Sequence, residues 1–231
     1  AYTPHGPFPS SLETRLIRER ALSRVWWIFP AAALALIVYA PVLSYQYVWD
    51  DLIYFKEDSI YRDPAQFWAS LRHAFVMNAN YFRPLTVLTF LLEMKNPQQA
   101  PALSHGINLL FHALNVLLVG WLGFLLARGR ADRGWWAFAL ATLYAFHAAL
   151  TESVAFVSSR FDLMMTSFLL LALAADLMLR DRRWPRILSV SLLFLCAALT
   201  KEMAVCFILT YPLWSFLARG DPAETVQAAH R

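Results

Sequence analysis

Two adjacent carboxylates, Asp50 and Asp51, follow directly on an uncharged apolar run. Like charges side by side repel unless water, a cation or a substrate proton compensates. An apolar run has no need of acids at its mouth, so the pair marks a candidate chemical centre. Other polar residues break apolar segments further along: Arg83, His105, Asn108, His147, Glu152, Arg160, Asp162, Lys201 and Glu202. Ionisable groups at a membrane boundary are expensive and mark function by default. Acids and fixed cations together suit a substrate that carries a phosphate and a reaction that needs a base.

Each of these residues also has a plainer reading. Asp50 and Asp51 could be solvated at a helix end, and Arg83 before Pro84 could anchor to headgroups. His105, Asn108, His112 and Asn115 form one stripe at helical spacing, which a hydrogen-bonded helix contact explains as well as a ligand site does. A metal or haem between the two histidines is a lesser alternative. Glu152 with Arg160, or Lys201 with Glu202, could be structural ion pairs. Asp176, four residues before Arg180, reads as a helix pair without chemistry.

The elements that must position these residues follow from composition. Hydrophobic residues make up 59% of the 231, charged residues only 16%, and mean hydropathy is +0.45. Soluble domains carry about 25% charge, so the chain is predicted to be an all-α polytopic membrane protein. Spans are expected over 25–48, 103–127, 135–150, 163–179, 187–200 and 204–218. The outer loop 49–102 contains two helix signals. Asp63-Pro64 opens one, and Pro84 opens another running to about residue 94. Both are predicted to lie along the membrane surface.

Residues 1–24 read as a cytoplasmic lead-in with an amphipathic helix over 11–24, too polar for a signal peptide. Residues 25–218 form the membrane module and 219–231 a polar cytoplasmic tail. Arg15, Arg18, Arg20, Arg24, Arg128, Arg130, Arg133 and the cluster from Arg180 to Arg186 fall on one side, as the positive-inside rule requires. Both termini are then cytoplasmic, and the acid pair is extracytoplasmic. The net charge of +4 is split into short clusters between apolar runs, which argues against a nucleic-acid partner. Cys196 and Cys206 have no metal-ligand spacing and read as small core residues.

Several stretches occur in a telling order: Val-Trp-Asp-Asp (48–51), Tyr-Phe-Arg-Pro-Leu (81–85), the His-Gly-Ile-Asn-Leu-Leu-Phe-His-Ala-Leu-Asn run (105–115), the run from His147 through Arg160 and Asp162, and Lys-Glu-Met-Ala-Val (201–205). Over about residues 25–215 the chain resembles the amino-terminal membrane module of GT-C-fold glycosyltransferases. It is most similar to the branch of transmembrane and tetratricopeptide-repeat O-mannosyltransferases and their bacterial relatives. The pattern departs at His147-Ala148, where the family usually has His-Pro, and at Ser159-Arg160, where it usually has Gly-Arg.

The resemblance implies a polyprenyl-phosphate sugar donor used from the outer face, a hydroxyl acceptor on protein, glycan or lipid, and an inverting displacement with no metal or other cofactor. It makes Asp50 the catalytic base, with Asp51 beside it for acceptor binding. Arg83, Arg160 and Lys201 become the donor-phosphate ligands, and Glu202, His105, His147 and Glu152 complete the substrate site. Full enzymes of this kind have further spans, so the competing expectation is a non-catalytic scaffold subunit of a larger membrane complex.

Overall fold

The computed structural model describes residues 24–55, 65, 82–93, 100–128 and 130–219. The helices expected over 11–24 and from Asp63 lie almost wholly outside these residues. Among the described residues the chain is helical throughout, with no strand. We number the α-helices α1 (Ile28–Tyr39), α2 (Asp51–Phe55), α3 (Pro84–Glu93), α4 (Ala100–Leu126), α5 (Arg133–Ala145), α6 (Thr151–Ala155), α7 (Arg160–Met178), α8 (Arg183–Ala198) and α9 (Cys206–Arg219). Short 3-10 turns at Arg24–Trp27 and Ala40–Ser44 extend α1 at both ends, and others precede α6, α7 and α9.

Among the described residues three segments are long and apolar enough to cross a membrane: Val25–Ser44, Pro101–Leu126 and Val157–Met178. A fourth is broken, with Arg133–Ala145 and Ala148–Ala155 meeting at 54°. The continuous third span expected over 135–150 is therefore bent. Its bend lies at His147, whose side chain accepts the Ala149 N–H and so competes with helical pairing. The 16 residues of α8 rise about 24 Å, short of the ~30 Å hydrocarbon layer, and the 14 of α9 still less. The chain is thus a helical membrane protein with three or four candidate spans.

Local sequence explains where the helices start. Pro84 stands at the first position of α3, where a missing N–H costs nothing. Pro185 falls in the first turn of α8, so that helix begins at Arg183, ahead of the expected residue 187. Helix α7 begins at Arg160, also ahead of the expected 163, with the Arg160 charge paired to Glu93.

Helix α4 lies at the centre. Ala31, Ala32 and Ala35 of α1 pack with Val116 of α4 and with Ala141 and Ala145 of α5. Small residues let these backbones approach closely. Gly120 on α4 is part of that contact: a Cβ there would sit 2.7 Å from Ile28 Cγ2. On the other side Ala172 of α7, Val190 of α8 and Phe207 of α9 form a second core. Asp176 of α7 accepts from Tyr211 (2.7 Å) and Trp214 (3.3 Å) and lies 3.8 Å from Arg186. Asp176, expected to pair with Arg180 on its own helix, thus engages side chains of α8 and α9. Exposed Leu188, Leu209, Leu213 and Phe216 give α8 and α9 an apolar outer surface. Cys206 is exposed there rather than in the core, while Cys196 is partly buried; both are free thiols.

The two ends of the bundle differ. At one, Trp27 meets Trp135 edge-on at 5.5 Å, and Arg130 pairs with Asp132. At the other, the segments carrying the candidate chemistry converge.

Candidate functional site

The acid pair occupies a tight turn. The backbone is irregular over 45–48, then turns at Trp49 and Asp50 into α2. Asp51 N–H bonds Val48 O and Leu52 N–H bonds Trp49 O, both at 3.0 Å. Trp49 has φ 47, left-handed backbone that a bulky side chain rarely adopts, and the residue is 84% exposed.

The two acids have opposite environments. Asp51 is completely buried. Its Oδ1 accepts the Ser158 N–H at 2.7 Å and the Ser158 hydroxyl at 2.6 Å, and its Oδ2 accepts the Val48 N–H at 3.3 Å. Asp50 is exposed. Among the described residues it has no hydrogen bond or ion pair.

Beneath the turn lies a buried polar network. The Arg160 guanidinium forms a bidentate pair with Glu93. It also donates to Asn108 Oδ1 (2.8 Å), Thr89 Oγ1 (3.1 Å) and Ser104 O (2.9 Å), and packs over the Phe90 ring. The Ser104 hydroxyl donates to Glu93 at 2.6 Å, so the Tyr47 hydroxyl, 3.0 Å away, donates to Ser104. Phe55, Phe90, Val157 and Phe161 close an apolar layer around it. Arg160 is therefore spent on holding α3, α4 and α7 together.

Two half-exposed ion pairs border this core. Arg83 contacts both carboxylate oxygens of Glu202, at 2.5 and 2.9 Å, and its guanidinium lies 4.3 Å from the Phe161 ring centre. That guanidinium holds the Glu202 carboxyl below the usual carboxylate range. Lys201 Nζ pairs with Asp162 Oδ1 at 2.5 Å. Backbone bonding ties the same corner: Leu85 N–H donates to Leu199 O, and the Thr86 hydroxyl to Thr200 O. The Lys201–Glu202 and Glu152–Arg160 pairs read from sequence thus exchange partners in three dimensions, for Asp162, Arg83 and Glu93.

The polar stripe of α4 faces inward. Asn108 donates to Phe156 O and Val157 O, and Asn115 to Leu163 O at 2.9 Å. His112 is buried with Nε2 3.2 Å from Ala145 O. This is a helix contact. His105 is different: it is fully buried beside Tyr45 and the Gln46 backbone, and among the described residues neither ring nitrogen makes a well-formed hydrogen bond. His147 and Glu152 are exposed, and no hydrogen bond or ion pair among the described residues ties them to the acid pair. No three His, Cys, Asp or Glu side chains among the described residues gather as a metal site. An apolar groove of about 340 Å3 lies between α7 and α9, lined by Leu169, Leu170, Leu173, Phe207 and Trp214 with Thr166 and Thr210.

Sequence reasoning missed Glu93, Thr89, Ser104 and Ser158. Glu93 had a signal: it is the charge that ends the apolar run from Leu85 to Leu92. A serine that caps a carboxylate more than a hundred residues away carries none.

No family model matches the chain, and no solved structure does. A curated protein does. Over 198 residues, 81% of the chain, it is 29% identical to protein O-mannosyl-transferase Tmtc1 of Drosophila melanogaster. The chain spans about a fifth, 22%, of that relative's length.

Proposed function

We propose that the chain is the donor-handling membrane module, residues 25–218, of a glycosyltransferase. It moves a sugar from a polyprenyl-phosphate donor to a hydroxyl on protein, glycan or lipid at the extracytoplasmic face. The observation that carries this reading is the segment 157–162. It holds Asp51 through Ser158 and contacts Arg83 through Phe161 and Lys201 through Asp162. One short stretch therefore links the turn bearing an exposed carboxylate to two cations. The likeness to an O-mannosyl-transferase supports the same class of reaction.

In this reading an acceptor hydroxyl binds beside Asp50, whose carboxylate takes the proton as the oxygen attacks the anomeric carbon. The lipid phosphate departs, its charge held by Arg83 and Lys201. Displacement in one step inverts the anomeric centre. The membrane arrangement has six spans, with α8 and α9 as the short last pair meeting at Lys201 and Glu202 on the outer face. Helix α3 lies on the surface there, and both termini are cytoplasmic. His147 and Glu152 border the substrate, whereas His105 lies buried behind Tyr45. Asp50→Asn should lower transfer from polyprenyl-phosphate mannose by at least about 100-fold and leave thermal unfolding unchanged. Unimpaired transfer by that variant defeats the assignment.

One observation favours the alternative, a scaffold subunit of a larger membrane complex. Asp51 and Arg160, both in the stretches that carry the resemblance, are wholly engaged inside the protein. Under that reading the unmodified protein is inactive with its complete chain present, and Asp50→Asn leaves assembly intact.

A further inference from the structure

We infer that Asp51 is a positioning residue: its buried carboxylate fixes the turn that presents Asp50, and it does not touch the acceptor. This rests on the reading of Asp50 as the base. Asp51 is completely buried, and both its oxygens are taken by N–H and O–H donors, so it has no face for an acceptor. Two of those bonds, at 2.6 and 2.7 Å, run to Ser158, 107 residues along the chain. Charge-assisted bonds of that length are among the stronger ones a protein makes. The third closes back onto Val48, so one side chain fastens the turn across its own width and to the 3-10 turn Val157–Ser159.

The turn needs fastening. Trp49 is held at φ 47 and largely exposed, where nothing in its own packing favours that conformation. Such backbone persists only when its surroundings over-determine it, and the Asp51 bonds supply the constraint. Asp50 sits between the strained residue and the clamp, exposed and unbonded among the described residues. A base must come within about 3 Å of the hydroxyl it deprotonates. A displacement of about 1 Å costs on the order of 100-fold in rate.

The test compares Asp51→Asn, Ser158→Ala and the double variant in the full-length protein. Each is assayed for transfer from polyprenyl-phosphate mannose to a Ser/Thr peptide, and for backbone hydrogen exchange over 46–52 and 156–160. Asp51→Asn should lower kcat about 100-fold with acceptor KM within about twofold of the parent, and exchange should quicken in both segments. Ser158→Ala should move both readouts the same way by less. The double variant should be no worse than Asp51→Asn, because both act through one contact. A raised acceptor KM at unchanged kcat, or unchanged exchange in Asp51→Asn, overturns the inference. If the unmodified protein transfers nothing, the glycosyltransferase reading fails separately, and the exchange result alone decides whether Asp51 holds the turn.

Discussion

The Arg160 guanidinium and the Glu93 carboxylate face one another inside the protein, with side-chain exposures of 0% and 3%. Removing one member of such a pair leaves a buried charge without compensation. Glu93→Ala should therefore destabilise the fold by about 3–5 kcal/mol, read as thermal unfolding in detergent. Replacing both with apolar residues of similar volume, Glu93→Leu with Arg160→Met, should recover most of that loss. A double variant as unstable as Glu93→Ala alone would show that the surrounding bonds to Asn108, Thr89 and Ser104 matter more than the charge pair.

Asn108 and Asn115 lie two turns apart on α4, and both bond α7 or the turns before it. Their worth differs because Asn108 also accepts from the charged Arg160 Nε, whereas Asn115 accepts from the neutral Ser167 hydroxyl. Asn115→Leu should cost about 0.6–2 kcal/mol, the range for hydrogen bonds between membrane helices. Asn108→Leu should cost more, about 1.5–3 kcal/mol, as expected for a bond to a charge. The reverse order would mean that Arg160 is held without Asn108.

How much of this the sequence declared depends on the kind of contact. Helix α4 was legible because its apolar run is long and bounded by polar residues, and α3 because proline favours the first position of a helix. Arg83, Lys201 and Glu202 were expected on one face, and the structure brings Arg83 and Glu202 together with Lys201 adjoining. Their partners were not legible, because a charge in an apolar segment announces that it needs compensation but not from where. Arg160 was assigned to a phosphate since Glu93, 67 residues earlier, was not recognised as its counter-ion. The two acids look equivalent in sequence. The resemblance sets both at the substrate, whereas the fold, by bringing Ser158 onto Asp51 and leaving Asp50 in the open, gives them opposite environments.

Gly120 should tolerate no side chain. A Cβ there would lie 2.7 Å from Ile28 Cγ2 and 3.1 Å from Ala141 Cβ, in the contact joining α1, α4 and α5. Gly120→Ala should lower stability by about 1–3 kcal/mol through overpacking. Ile28→Ala in the same chain should restore part of it by removing the nearer atom. An unchanged melting temperature in Gly120→Ala would mean that these helices move apart freely.

The Arg83–Glu202 pair gives the fold an acid-side pH dependence whose sign is fixed. Arg83 holds the Glu202 carboxyl below its ordinary range. Its stabilising contribution is therefore fully present above the unfolded-state carboxylate pKa and is lost as pH falls through the depressed folded value. The pair is half open, with side-chain exposures of 13% and 47%, so the contribution is at most about 1 kcal/mol. Thermal unfolding followed from pH 7 downward should show this loss setting in at the ordinary carboxylate pKa and completing below the depressed one, and it should be absent from Glu202→Gln. The same variant bears on chemistry. A carboxylate bonded to Arg83 competes with any phosphate for that guanidinium. If Arg83 receives the lipid phosphate, Glu202→Gln should bind polyprenyl phosphate more tightly than the parent at neutral pH. Weaker binding would place Glu202 among the groups that hold Arg83 in position to receive it.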